Sequence, residues 1–157
     1  MPWFRLPRLL PLLALALLAA CGGGRPAAAP RSTPGAPAPS AAVERFLRLS
    51  AEKDYVEMGW LFGTASGPVL RRDRQSDVER RMYALATVLQ NDAFTIRGEE
   101  AVPGRTGAAV RVTAQLTRGS RKVDVPFVAV RGPESRWFVE QVVVEAITNP
   151  ATSNRGR

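Results

Sequence analysis

The residues from Ala41 to about Pro150 predict an α+β domain, with three N-terminal helices packed on a four-stranded antiparallel sheet. Up to Gln90 the apolar residues recur at helical spacing, each run opened by residues that cap helices. After Asn91-Asp92 the pattern changes to alternation of apolar and polar residues, the period of a half-buried strand. Helices first and strands after is the order of an α+β domain, whereas alternation of the two builds parallel sheets.

The first helix is expected over 41–53, with Ser40 as N-cap and Val43, Phe46 and Leu47 on one face. Asp54-Tyr55-Val56-Glu57 reads as a capping box for a short second helix through Met58, Trp60, Leu61 and Phe62, with Gly63 placed to end it. Thr64 to Pro68 is a turn, and Val69 to Gln75 an arginine-rich connector. A second capping box, Ser76-Asp77-Val78-Glu79, opens the third helix, whose stripe is Val78, Met82, Leu85, Ala86 and Leu89.

Phe94 and Ile96 begin the first strand, which ends before Pro103-Gly104. Val110, Val112, Ala114 and Leu116 mark the second strand, and Val123, Val125, Phe127 and Ala129 the third. Pro126 lacks a ladder donor, so its ring nitrogen is expected to face an edge, a bulge or solvent. The last strand is expected over 136–147. Trp137 and Val139 share one phase and Val142, Val144 and Ala146 the other, so a β-bulge near Glu140-Gln141 would keep both halves on the core. Trp137 is expected in that core, at the start of the strand.

Ahead of the domain, Arg5 and Arg8 precede an apolar run from Leu9 to Ala20, followed by Cys21, the single cysteine. Positive start, short apolar middle and small residues at the end are the layout of a secretory signal over 1–20. The run, broken by Pro11, is too short for a membrane span, which takes about 20 residues. Leu18-Ala19-Ala20-Cys21 resembles the bacterial lipobox. The resemblance implies that the Cys21 sulfur takes a diacylglyceryl group, that Cys21 becomes the acylated N-terminus, and that the membrane is a partner through this lipid. Two or three acyl chains hold a membrane stably where one does so only marginally. With Gly22 rather than Asp after the cysteine, the resemblance implies an outer-membrane lipoprotein facing the periplasm.

Residues 21–40 are rich in Ala, Pro, Gly and Ser and have no hydrophobic periodicity. They read as a semi-rigid tether that contributes no packing, reaching roughly 50 Å if extended at about 3.1 Å per residue. The folded domain is then 41–150, and 151–157 a disordered tail. Without residues 1–20 the 22 basic side chains fall to 20 against 14 acids, a balance of +6.

The chain has no histidine and its one cysteine is claimed by the lipobox. The usual zinc and haem sites, histidine triads and histidine acid–base chemistry are therefore excluded, and no phosphate or dinucleotide motif is present. No cofactor is expected, and an exported protein is not expected to bind nucleic acid.

Trp60-Leu61-Phe62-Gly63-Thr64 with Gly67-Pro68, and Trp137-Phe138-Val139-Glu140-Gln141-Val142, resemble small bacterial lipoproteins of the nuclear transport factor 2-like superfamily. The resemblance covers roughly 41–147. It implies a strongly curved sheet, a cystatin-like cone with a pocket between the helices and the concave face, but no one activity, because that fold hosts isomerases, dehydratases, cyclases and pure binders.

Tyr55, Trp60, Tyr83 and Trp137 are the candidates for the wall or mouth of such a pocket, with Asp54 and Asp92 nearby in the same reading. Relatives in that superfamily pair an acidic base with a hydrogen-bond donor, and an aspartate with a tyrosine is chemically sufficient to polarise a carbonyl. Asp54 and Asp92, however, have sufficient explanations as helix cap and turn residue. Arg71, Arg72, Arg74, Arg80 and Arg81 form the densest cationic run and are candidates for an anionic partner, diluted by Asp73, Asp77 and Glu79. Three functions follow as expectations. The first is a lipid-anchored, non-catalytic domain binding a small apolar ligand or an envelope protein. The second is a periplasmic isomerase- or cyclase-like enzyme. The third is an assembly factor that forms homodimers through the sheet.

Overall fold

The computed structural model describes residues 33–149. The signal segment, Cys21, most of the tether and the tail at 151–157 lie outside the described residues.

The elements follow the expected order. Helix α1 (Pro39–Glu52) and helix α2 (Tyr55–Leu61) lead into a minimal hairpin of β1 (Gly63–Thr64) and β2 (Gly67–Pro68). After a 3-10 turn at Val69–Arg71 comes α3 (Gln75–Val88). Strands β3 (Ala93–Ala101), β4 (Ala109–Arg118), β5 (Arg121–Arg131) and β6 (Trp137–Val142) form one antiparallel sheet in chain order, and α4 (Glu145–Thr148) closes the described chain.

Helix starts depart from expectation by one or two residues. Helix α1 begins at Pro39 behind Ala38, because proline has no N–H to satisfy and its fixed φ suits the first helical position. Ser40 lies inside the helix, and its backbone N–H donates to Glu99 Oε1 at 2.9 Å, so a carboxylate from β3 serves the helix end. Helix α3 begins at Gln75 behind an extended Arg74 with no side-chain cap, and Glu79 accepts from Gln75 Nε2 rather than closing a capping box with Ser76.

The α1–α2 corner is built as a Schellman motif. Lys53 N–H donates to Ser50 O and Asp54 N–H to Leu49 O, with Lys53 left-handed at φ 61°. A non-glycine residue in that conformation costs about 1 kcal/mol or more relative to glycine. Asp54 then caps α2 as expected, accepting from the Glu57 N–H at 3.0 Å. Glu57 instead pairs with Arg45 of α1 at 3.1 Å. Gly63 does not terminate α2 by a left-handed turn; Phe62 is the cap and Gly63 enters the β1–β2 hairpin. Gly59 lets α2 approach the following segments closely: a Cβ there would lie 2.6 Å from Val78 and 2.9 Å from Leu70.

Helix α1 lies across all four long strands, and α2 and α3 pack against it and against each other. The inner sheet face (Val112, Ala114, Val125, Phe127, Ala129, Val139) joins Val43, Phe46, Leu47, Met58, Leu61 and Val78 in one core, every one of them without solvent exposure. Each large apolar side chain so buried stabilises the fold by about 1.5–3 kcal/mol relative to exposure. Trp137 belongs to this core at 6 % exposure, with the Arg131 guanidinium 5.1 Å from its ring centroid.

The expected bulge in the last strand is present. Val128 pairs with Gln141 and Ala129 with Val139, leaving Glu140 unpaired as the extra residue. The strand itself ends at Val142, not near Ile147; the chain then turns into α4, which buries Ala146. Pro126 lies on the central strand β5 where β6 is running out. Its carbonyl accepts from Val143 N–H on that side, so the missing donor interrupts no ladder. A second bulge at Arg97 interrupts β3.

Beyond the expected alternation, β5 also buries Val128 and Val130. These pack with Ala109 and Phe138 in a small cluster separate from the main core. The loop leading into β4 is pinned there by Arg105, which bonds Glu140 through both Nη atoms at 2.7 and 3.2 Å. The hydrogen bond and the charge of Glu140 hold the Arg105 guanidinium above its usual pKa.

Packing also reaches back before the boundary expected at Ala41, which corrects the reading of 33–40 as part of an unpacked tether. Ala36 is 2 % exposed and exchanges two 2.8 Å backbone hydrogen bonds with Trp137, extending the sheet by one bridge beyond β6. Gly35 donates to Trp60 O, and its own carbonyl accepts from Arg45 and Arg136. Gly35 is left-handed at φ 73°, and a Cβ there would lie 2.9 Å from the Phe138 ring. Small residues therefore lie where backbone must meet the β6 edge.

Candidate functional site: a tyrosine-walled groove at the helix ends

The space between helices and sheet, where the resemblance expected a pocket, is largely filled by the apolar side chains of the main core, with a small apolar pocket of about 60 Å³ left among Val88, Leu116, Val123 and Ile147. A groove of about 490 Å³ lies instead among the helix ends. The C-terminal turn of α1 supplies Ser50 and Lys53, the first residue of α2 supplies Tyr55, and α3 supplies Tyr83 and Thr87. The chain leaving α3 adds Gln90, Asn91 and Asp92, and the end of β4 adds Arg118.

Local structure explains why these side chains meet. The Schellman corner turns the chain by one tight step, so Lys53 and Tyr55 flank the same junction. Tyr83 is adjacent to the buried Met82 on α3 but off its apolar stripe, which leaves it 59 % exposed. The Tyr55 and Tyr83 rings meet edge to face, 5.7 Å between centroids and 90° between planes. On the far side of this pair a shallower depression is bounded by Ser76, Glu79 and Arg80.

Several polar groups of the groove already have partners. Asp92 Oδ2 accepts from Gly119 N–H at 2.7 Å, which fixes the β4–β5 turn to the end of α3. Thr87 Oγ1 donates to Tyr83 O, and Asn91 Nδ2 donates to Leu89 O. Asp54 is committed to the Glu57 N–H and is not in the groove wall. Asp92 therefore shares the groove with Tyr55 and Tyr83, with one carboxylate oxygen held by the turn, while Asp54 lies outside it.

Of the four aromatic residues expected at a pocket, the structure brings Tyr55 and Tyr83 together. Trp60 is half-buried and Trp137 is core, and neither lines the groove. Lys53, Thr87, Asn91 and Arg118 were not singled out from sequence. The signal for Lys53 was present: a lysine directly ahead of the Asp54 cap stands at the position where helix ends favour glycine.

All five arginines of the cationic run are exposed, and two of them are paired with acids. Arg80 pairs with Asp77 and Arg81 with Asp73, and Arg72 Nη1 reaches Thr64 Oγ1 at 3.5 Å. Arg71 and Arg74 are exposed on the connector. Among the described residues no group of three or more His, Cys, Asp or Glu side chains converges as a metal site, and no helix is long and apolar enough to cross a membrane.

Fold and groove together define an α+β domain of helices on an antiparallel sheet, with an apolar packed core and a polar, tyrosine-walled surface groove. No protein-family model, curated protein or solved structure matches the chain.

Proposed function

We propose that this protein is a lipid-anchored component of the bacterial cell envelope whose domain, a variant of the cystatin-like cone, binds a ligand or envelope partner without catalysis. Leu18-Ala19-Ala20-Cys21 behind a short apolar run supports the anchor, with Cys21 as the acylated residue on the periplasmic side of the outer membrane. The observation that carries the binding reading is the occupied interior: with the inner sheet face packed by Phe46, Leu47 and Phe127, recognition falls to the surface, where Tyr55 and Tyr83 wall a groove. The structural roles of both aspartates, Asp54 as the cap of α2 and Asp92 as the tie to the β4–β5 turn, support binding over the isomerase- or cyclase-like alternative.

The same packed core also favours an assembly role, in which the protein dimerises through its sheet. The outward positions Arg111, Lys122 and Asp124 are exposed and charged, so such an interface would have to be polar.

Labelling with a radioactive or clickable palmitate in a Gram-negative host tests the anchor. The parent chain is expected to carry label and to fractionate with the outer membrane, and Cys21→Ala to carry none and remain uncleaved. Equal labelling of the two would overturn the lipoprotein assignment.

A further inference from the structure

Lys53 is the most informative residue of the groove. It occupies the left-handed position of the α1 Schellman motif, φ 61°, where glycine is favoured because it carries no Cβ penalty. Lys53 is there in spite of that preference and forms part of the groove wall. Arg118 contributes a second cation to the wall. The one carboxylate in the wall, Asp92, already accepts from a backbone N–H. The lining therefore carries two positive charges and one negative, a net positive balance that favours an anion.

The rest of the lining restricts what kind of anion. Tyr83 is the one large aromatic exposed among the described residues, and its ring is steadied edge to face by Tyr55. A steadied, solvent-exposed ring is a platform for the C–H face of a flat, polar molecule. Thr87, Gln90 and Asn91 supply uncharged donors and acceptors beside it, the chemistry that matches hydroxyl groups. At about 490 Å³ the groove is within the range of small-molecule sites. Its lining is mostly polar, whereas the apolar pocket beside it, which shares Gln90 and Arg118, holds only about 60 Å³.

We propose that the groove between Lys53, the Tyr55–Tyr83 pair and Arg118 binds an acidic saccharide, its carboxylate set against the two cations and a sugar face on Tyr83. The proposal deepens the binding reading above and rests on it. Titration calorimetry of the full-length protein in detergent, with trigalacturonate and the neutral cellotriose as probes, tests it. Trigalacturonate is expected to bind at least tenfold more tightly than cellotriose. Tyr83→Ala is expected to weaken trigalacturonate binding at least tenfold with only a small fall in melting temperature, because the side chain is mostly exposed and loses one ring contact. Lys53→Gly is the sharper variant. It is expected to leave the melting temperature unchanged or higher, since glycine relieves the left-handed backbone, while erasing the preference for the acidic probe. Equal affinity for the two probes would overturn the charge assignment, and no binding of either at millimolar concentration would overturn the site. If Tyr83→Ala abolished function in cells while the parent bound neither probe, the saccharide would be wrong and the binding reading would stand.

Discussion

The β6 edge and the helix-end groove treat their aromatic residues in opposite ways. At the β6 edge Trp137 is 6 % exposed, closed over by a backbone segment that pairs with it through Ala36. At the groove Tyr83, on α3, is 59 % exposed, with no strand or loop among the described residues closed over it. The difference lies in what the chain brings alongside. Gly35 and Ala36 are small enough for backbone to meet the rings of Trp137 and Phe138, whereas the groove is rimmed by Lys53, Gln90 and Arg118, whose charged or polar ends favour water. One region is covered and the other open, the distinction expected between a stability element and the recognition surface proposed above.

The largest expected effect comes from the covered region. Trp137→Ala removes a buried indole from the main core, and such truncations cost about 3–5 kcal/mol. Against a typical domain stability of about 5–15 kcal/mol, the variant should lose most of its cooperative unfolding transition in a urea titration. A parent-like midpoint would mean that the β6 edge is not the stability element described.

Removing the chain ahead of Ser40 should have the next largest effect. It deletes buried Ala36, its two bonds to Trp137 and the carbonyl on which Arg45 and Arg136 converge. At about 1 kcal/mol for each hydrogen bond lost, a destabilisation of roughly 2–3 kcal/mol is expected by chemical denaturation. A change below about 0.5 kcal/mol would return Thr33–Ala38 to the role of a passive tether.

The smallest effect is expected beside the open region. Asp54→Asn keeps the cap on α2, because asparagine accepts the Glu57 N–H as well as aspartate does, but it cannot act as a base. Stability within about 0.5 kcal/mol of the parent and unchanged function in cells are expected. A folded variant without function would make the carboxylate chemically necessary and promote the enzyme reading.

The sequence by itself determined the class of fold and much of its detail. Helical spacing in α1 and α3, the Asp54 cap, the alternation in β4 and the phase slip that marks the Glu140 bulge are all local patterns, set by which neighbours along the chain share a face. Only the tertiary structure decided the rest. Nothing local marks Gly35-Ala36 as sheet, because their partner Trp137 lies about a hundred residues away and the bond exists only once β6 is in place. The exposure of Tyr83 and the burial of Trp137 are likewise invisible to composition, since both are amphipathic aromatics. The groove follows the same rule. Its residues come from three helix ends and a strand end, and what unites them is the way the helices stack on the sheet, a property of long-range packing that no window of sequence contains.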